Sequence, residues 1–285
     1  MINSIARQKL QGFRVVEIIV ACDGCNDGTV KLLKALSKTN SKLRVIKGKT
    51  RKGKCYRLNQ LYQLSKGDIV VQVDADGMLA KPTTLQKLVE RISSSDIVLV
   101  AGNNQPAPAT NFFQSIMNTI FDLWYEIRKD YKSGDNIFNY HGMMAAMPTA
   151  FAKSVHYPTS LFADQHFLYI RAKNVGKFVF ARRAIILFTS PTNFDDFLTQ
   201  AKRSLRDRVS VAEHLGNEIL SYFDIDTNYK LAGIFHYFLK KPLLTSLGLC
   251  YMVVLRTLPE KKNAFLVNPG IWKISTSTKQ SINLR

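Results

Sequence analysis

The sequence predicts an α/β fold, with a mostly parallel central sheet flanked by helices and a helical C-terminal region after it. Three observations predict it. Short Val- and Ile-rich runs, the signature of strands buried on both faces, recur through the first two thirds of the chain. Amphipathic helical patterns separate most of them, and strand and helix in alternation build a parallel sheet. The 285 residues are 46% hydrophobic and 21% charged, which supplies a core and excludes a mostly disordered, collagen-like or disulfide-scaffold chain.

Taken in order, residues 15–21 read as the first strand, and Asp27, a good N-cap residue, opens a helix with Val30, Leu33 and Leu36 on one face. A strand at 43–47 leads through a basic loop into a helix, and a strand at 68–73 ends at a pair of aspartates. Pro82 and Thr83 open a helix whose Leu85, Leu88, Val89 and Ile92 share a face, and 96–101 is the next strand. Pro106 and Pro108 break the rhythm over 103–111, ahead of a long aromatic-rich helix over about 112–131. A glycine-marked loop (Tyr140, His141, Gly142), a helix over about 164–174 and two strands, 177–182 and 185–189, complete a first unit, residues 1–192. Residues 193–285 read as a second, made of basic amphipathic helices.

Lys and Arg number 40 against 21 Asp and Glu, and the resulting +19 attracts polyanions: nucleic acid, anionic lipid headgroups or phosphorylated small molecules. Four cysteines (Cys22, Cys25, Cys55, Cys250) are too few for a disulfide-dense secreted module, and no N-terminal stretch reads as a signal peptide, so a cytosolic setting is expected. Cys22 and Cys25 form a C-x-x-C pair, but no further Cys or His stands at finger-like spacing. Buried, inert thiols are expected. In the second unit Lys202, Arg203, Arg206 and Arg208 crowd one run, and Lys240 and Lys241 precede 14 mainly apolar residues, 242–255. That run is shorter than the roughly 18 to 20 residues of a spanning helix. Its basic flank suggests a helix lying on the cytosolic face of a membrane, with a core helix as the alternative.

Chemistry concentrates at strand ends. Asp74-Ala75-Asp76 directly follows an apolar strand, where open parallel sheets gather their ligands. Two hard oxygen donors there suit Mg2+ or Mn2+, which neutralises a diphosphate; a solvated acidic turn is the alternative. Asp23, in Asp23-Gly24-Cys25-Asn26-Asp27-Gly28-Thr29, is placed to accept from a nucleobase or ribose, unless the stretch is only a turn and an N-cap. The run 47–54 holds five cations and two glycines before a helix, a phosphate-holding composition or a solvated basic loop. Residues 48–55 match the nucleotide-hydrolase P-loop except that Cys55 stands where the metal-binding hydroxyl belongs. Asp164 opens a helix and suits a general base or an N-cap; His141 and His166 read as packed or surface residues.

Read together, residues 17–24 with Asn26-Asp27-Gly28-Thr29, Gly53-Lys54 with Leu58-Asn59, Asp74-Ala75-Asp76 and Asp164 resemble the family 2 glycosyltransferases of GT-A fold, over about residues 13–210. The resemblance implies that Asp23 contacts the nucleobase of a nucleoside-diphosphate sugar, Lys54 lies near the nucleotide, and Asp74 and Asp76 bind diphosphate and Mg2+ or Mn2+. Asp164 is then the base that deprotonates an acceptor hydroxyl, saccharide or lipid-linked, for transfer with inversion. Tyr140, His141 and Gly142 line the acceptor side, as do Gln200 and Arg203 of a Q-x-x-R sequence. Ser204 stands where processive synthases carry tryptophan, which implies non-processive transfer. Cys22 replaces an aspartate often found there, and Ala163 replaces the acidic residue common before the base. The family's first strand has no counterpart, so either another segment covers its neighbours' backbone groups or activity is weakened. The competing reading is a non-catalytic protein that binds nucleic acid or anionic lipid by charge. Most of the aromatic residues fall in helical or strand patterns that look buried, which favours the enzyme.

Overall fold

A computed structural model describes residues 1–161 and 164–257, the short strands Leu266–Asn268 and Ile271–Trp272, and the single residues Thr278 and Ile282. In chain order the elements are α1 (Ile2–Ala6), β1 (Ile18–Asp23), α2 (Thr29–Thr39), β2 (Leu43–Gly48), α3 (Lys54–Leu64), β3 (Ile69–Val73), β4 (Met78–Leu79), α4 (Thr84–Val89), β5 (Ile97–Pro106) and α5 (Phe112–Arg128). Then come β6 (Met144–Pro148), α6 (Thr149–Ser154), α7 (Asp164–Lys173), β7 (Lys177–Phe188), α8 (Phe194–Leu215), α9 (Thr227–Lys240), α10 (Pro242–Thr257), β8 (Leu266–Asn268) and β9 (Ile271–Trp272).

The sheet is mixed, not mostly parallel. Five strands stand in the order β3-β6-β5-β7-β4. β5 and β7 are parallel, but β6 runs antiparallel between β3 and β5, and β4 is antiparallel to β7. The reversal comes from β6, whose Met-Ala-Ala-Met run lacks the β-branched residues that mark the other strands and is nonetheless fully buried. β5 extends through the region where the prolines were expected to break the pattern, because Asn103 to Pro106 continue pairing with Ile185 to Phe188. The two expected strands after residue 176 are one strand, β7, with residues 182–184 bulged where the register steps from Gly102–Ala181 to Asn103–Ile185.

β1 and β2 form a separate two-stranded parallel sheet, paired from Ile18–Leu43 to Asp23–Gly48. Hydrogen bonds made by side chains link β1 to the β3 side of the molecule. At one end Glu17 Oε1 accepts from Lys66 N at 2.8 Å, just ahead of β3. At the other, Asp23 holds the amides that lead into α3, whose Lys54 pairs with Asp74 just beyond β3. Among the described residues no backbone ladder joins β1 to β3.

One large core joins α3, β5, β6, α5 and α7 through residues such as Leu58, Leu99, Ala145, Ile127 and Leu168, and it includes Val211, Phe223 and Tyr237. The core therefore runs across the expected boundary at residue 192. On the other face of the sheet a smaller core packs α4 against β5 and β7. Cys22 and Cys55 are buried as expected, whereas Cys25 and Cys250 are exposed, and all four are free. Among the described residues no helix is long and apolar enough to cross a membrane.

Candidate active site

The carboxyl ends of β1 and β3 converge on the first turn of α3. Asp23 ends β1, and its two carboxylate oxygens accept from Lys52 N (2.9 Å) and Gly53 N (2.7 Å), with Arg57 Nε adding an ion pair at 2.8 Å. A carboxylate there satisfies amides at the positive end of the helix. Amides that a P-loop would turn toward phosphate are thus taken, and residues 48–55 do not form one.

Lys54, next along α3, centres the cluster. Its Nζ lies 2.8 Å from Asp74 Oδ1 and 3.1 Å from Asp164 Oδ1, and donates to Gly142 O at 3.3 Å. Burial pulls the Lys54 ammonium toward deprotonation, but the two carboxylates outweigh it and hold its pKa above the ordinary value. For Asp74 burial pushes the pKa up, aided by Asp164 and Asp76 and opposed by Lys54. Asp76, half-buried two residues on, completes the acidic pair.

Asp164 stands at the start of α7 and is 4% exposed. Its Oδ2 accepts from Gln72 Nε2 at 3.1 Å; the same nitrogen donates to Gly142 O at 3.0 Å, and Gln72 Oε1 accepts from Tyr62 OH at 2.5 Å. Sequence reasoning missed Gln72. The available signal was an amide inside the otherwise apolar strand Ile69–Val73, two residues ahead of Asp74.

The loop at Tyr140, His141 and Gly142 closes over Asp164. Gly142 has φ +68°, a conformation that strains any other residue, and a Cβ there would crowd Asp164 Oδ2 at 3.1 Å. Tyr140 belongs to the core, with its hydroxyl buried and unpartnered, and His141 Nε2 is likewise buried without a partner. Burial, then Arg128 and His166, hold the His141 pKa well below its ordinary value. Arg128 Nη1 donates to Asn139 Oδ1 at 2.6 Å and fixes the approach to the loop.

Gln200 and Arg203 lie on α8, the first half-buried and the second exposed. Asp207 follows on the same helical face, at the i, i+3, i+7 spacing, and forms a buried contact with His166 of α7. That contact ties the helix carrying Asp164 to the helix carrying Gln200 and Arg203. Ala163 lies outside the described residues.

Among the described residues no three His, Cys, Asp or Glu side chains gather as a metal site. Asp74 and Asp76 fit a divalent ion on a narrower basis: Mg2+ is commonly held by one or two carboxylates, with substrate phosphates and water completing the shell. A cavity of about 580 Å³ between the end of β5 and α5, α9 and α10 shares no lining residue with this cluster.

A mannosyltransferase from Pyrobaculum calidifontis, solved with GDP-Man and Mn2+, superposes with a TM-score of 0.60 at 15% identity, covering 91% of this chain and 71% of that one. TarS 1–349 of S. aureus gives 0.50 at 17% identity, over 85% of this chain and 67% of its own. GalNAc-T7, solved with UDP, GalNAc and Mn2+, gives 0.55 at 14% identity, over 78% of this chain but 46% of its own. At these identities the likeness is one of fold. No curated protein matches the sequence. The family model for glycosyl transferase family 2 matches residues 1–155, a span that holds Asp23, Lys54, Asp74, Asp76 and the loop at 140–142 and stops short of Asp164. The chain belongs to glycosyl transferase family 2.

Proposed function

We propose that the chain is an inverting, metal-dependent, non-processive glycosyltransferase that moves a sugar from a nucleoside-diphosphate sugar to an acceptor hydroxyl, with Asp164 as the general base. The observation that carries this reading is one ammonium, Lys54, in contact with the carboxylates of both Asp74 and Asp164. A donor-side acid and a buried acid are thereby held at one point of the sheet. A single buried carboxylate suits direct displacement: it takes the acceptor's proton while the oxygen attacks the anomeric carbon opposite the leaving diphosphate, and the configuration inverts. Gln72 steadies Asp164 through Oδ2 and leaves Oδ1 for the proton. An arriving diphosphate competes for the Lys54 ammonium, freeing that oxygen. Asp74 and Asp76 would hold Mg2+ or Mn2+, which when bound neutralises charge on the leaving diphosphate.

Complexes of the structural neighbours with GDP-Man and with UDP support a nucleotide donor. In this reading Asp23 borders the nucleobase, the loop at 140–142 with Gln200 and Arg203 borders a saccharide or lipid-linked acceptor, and the protein works at the cytosolic face of a membrane. The test is a melting-temperature panel with UDP-GlcNAc and GDP-mannose, each with Mn2+ or with EDTA. A stabilising shift that needs the metal and is lost in Asp76→Ala is expected. Asp164→Asn is expected to keep the shift while the rate of sugar transfer falls about a hundred- to ten-thousand-fold. Absence of any nucleotide-dependent shift, with salt-sensitive binding to heparin unchanged in Asp76→Ala, overturns the proposal in favour of a polyanion binder.

A further inference from the structure

We infer that the outer face of α9 and α10 docks on the surface of an anionic lipid bilayer. This deepens the membrane-side part of the proposed function and does not depend on glycosyl transfer. The two helices, joined at an elbow formed by Lys241, both pack along α5. A Cβ on Gly233 would come within 2.5 Å of Ile127 Cγ1, and one on Gly248 within 3.0 Å of Ile120 Cγ1. Tyr237, Leu244, Leu247 and Tyr251 point inward from this seat. The opposite face carries Leu231, Phe235, Phe238 and Leu239 at i, i+4, i+7 and i+8, followed across the elbow by Leu243. Their exposures are 59%, 65%, 40%, 67% and 68%. Exposed apolar side chains in one continuous stripe, rimmed by charge, mark an interaction surface.

The charge pattern names the partner. From Thr227 to Thr257 the sequence contains no Asp or Glu, while Lys230, Lys240 and Lys241, on the same pair of helices, are exposed, the Lys241 ammonium lying over the Tyr237 ring. A helix pair with exposed lysines and no acidic residue presents net positive charge to anionic headgroups. Among the described residues neither helix is long and apolar enough to cross a bilayer, and an amphipathic pair of this kind lies in the interface plane. α8, which holds the basic run from Lys202 to Arg208, carries Asp195, Asp196, Asp207 and Glu213 among its cations and lacks this pattern.

Co-sedimentation of the full chain with phosphatidylcholine vesicles, with and without phosphatidylglycerol, tests the inference. Binding that needs phosphatidylglycerol is expected, reduced at least about tenfold in Phe235→Ser/Leu239→Ser and in Lys240→Glu/Lys241→Glu. The variants' melting temperatures, and their shifts with UDP-GlcNAc and Mn2+, report separately on folding and on the nucleotide site. A wild type without that shift would count against the transferase reading and leave the lipid result standing. The inference is overturned if the wild type does not sediment, or sediments equally with phosphatidylcholine alone. It is also overturned if light scattering shows a wild-type dimer that Phe235→Ser/Leu239→Ser splits, which makes the occupant a second copy.

Discussion

Gln72 joins three parts of the site that are far apart in sequence: Tyr62 on α3, Gly142 in the loop and Asp164 on α7. Gln72→Leu leaves a hydroxyl, a carbonyl and a carboxylate oxygen without this partner. A loss of about 1–3 kcal/mol is expected, read from the urea midpoint, because buried polar groups without partners retain their desolvation cost. If the proposed roles hold, the same change should lower the transfer rate more than nucleotide affinity, since the Lys54–Asp74 ion pair stays intact. His141 supplies a pH dependence. Its folded-state pKa is depressed below the ordinary 6.5 by burial, so it stays neutral in the fold but takes up a proton when unfolded. Its contribution is therefore present above pH ~6.5 and lost as pH falls, with a limiting slope of about 1.4 kcal/mol per pH unit. Replacing His141 with Gln should flatten the acid limb of stability against pH. The acidic members of the site were legible because aspartates at the ends of apolar strands stand out. Gln72 was not, since an amide in a strand reads equally well as a solvent-facing position. Nor were the partners of Asp23, which depend on how α3 returns to the end of β1.

The element that organises the site is α3. Its first turn receives Asp23 from β1 and contributes Lys54 to Asp74 and Asp164, while Leu58 and Tyr62 anchor it in the main core. Asp23→Ala removes two amide partners and the Arg57 ion pair at once. Charge-assisted bonds of this kind suggest a loss of about 2 kcal/mol, measured as a lowered denaturant midpoint with unchanged m-value. β1, β2 and β3, and the start of β5, were legible to within a few residues from their Val and Ile content. β6 was hidden by its methionines and alanines, and with it the antiparallel pairing that makes the sheet mixed. The continuation of β5 past its glycine and asparagines was hidden too, because pairing with β7 overrides the local preference there.

Across the molecule, the five-stranded sheet and the β1–β2 pair are separate hydrogen-bonded units. Local opening follows the density of packing and pairing, so the amides of β1 and β2 should exchange with deuterium faster than those of β5 and β7. Mass spectrometry of peptides covering 18–48 and 97–106 measures the difference, and GDP or UDP with Mn2+ should narrow it. The two-part sheet has a further consequence for how occupancy and rigidity are coupled. A nucleotide whose base rests against the smaller unit and whose phosphates rest against the larger would act as a clasp between them. The fraction of molecules with a firm floor beneath the sugar would then rise and fall with the supply of donor.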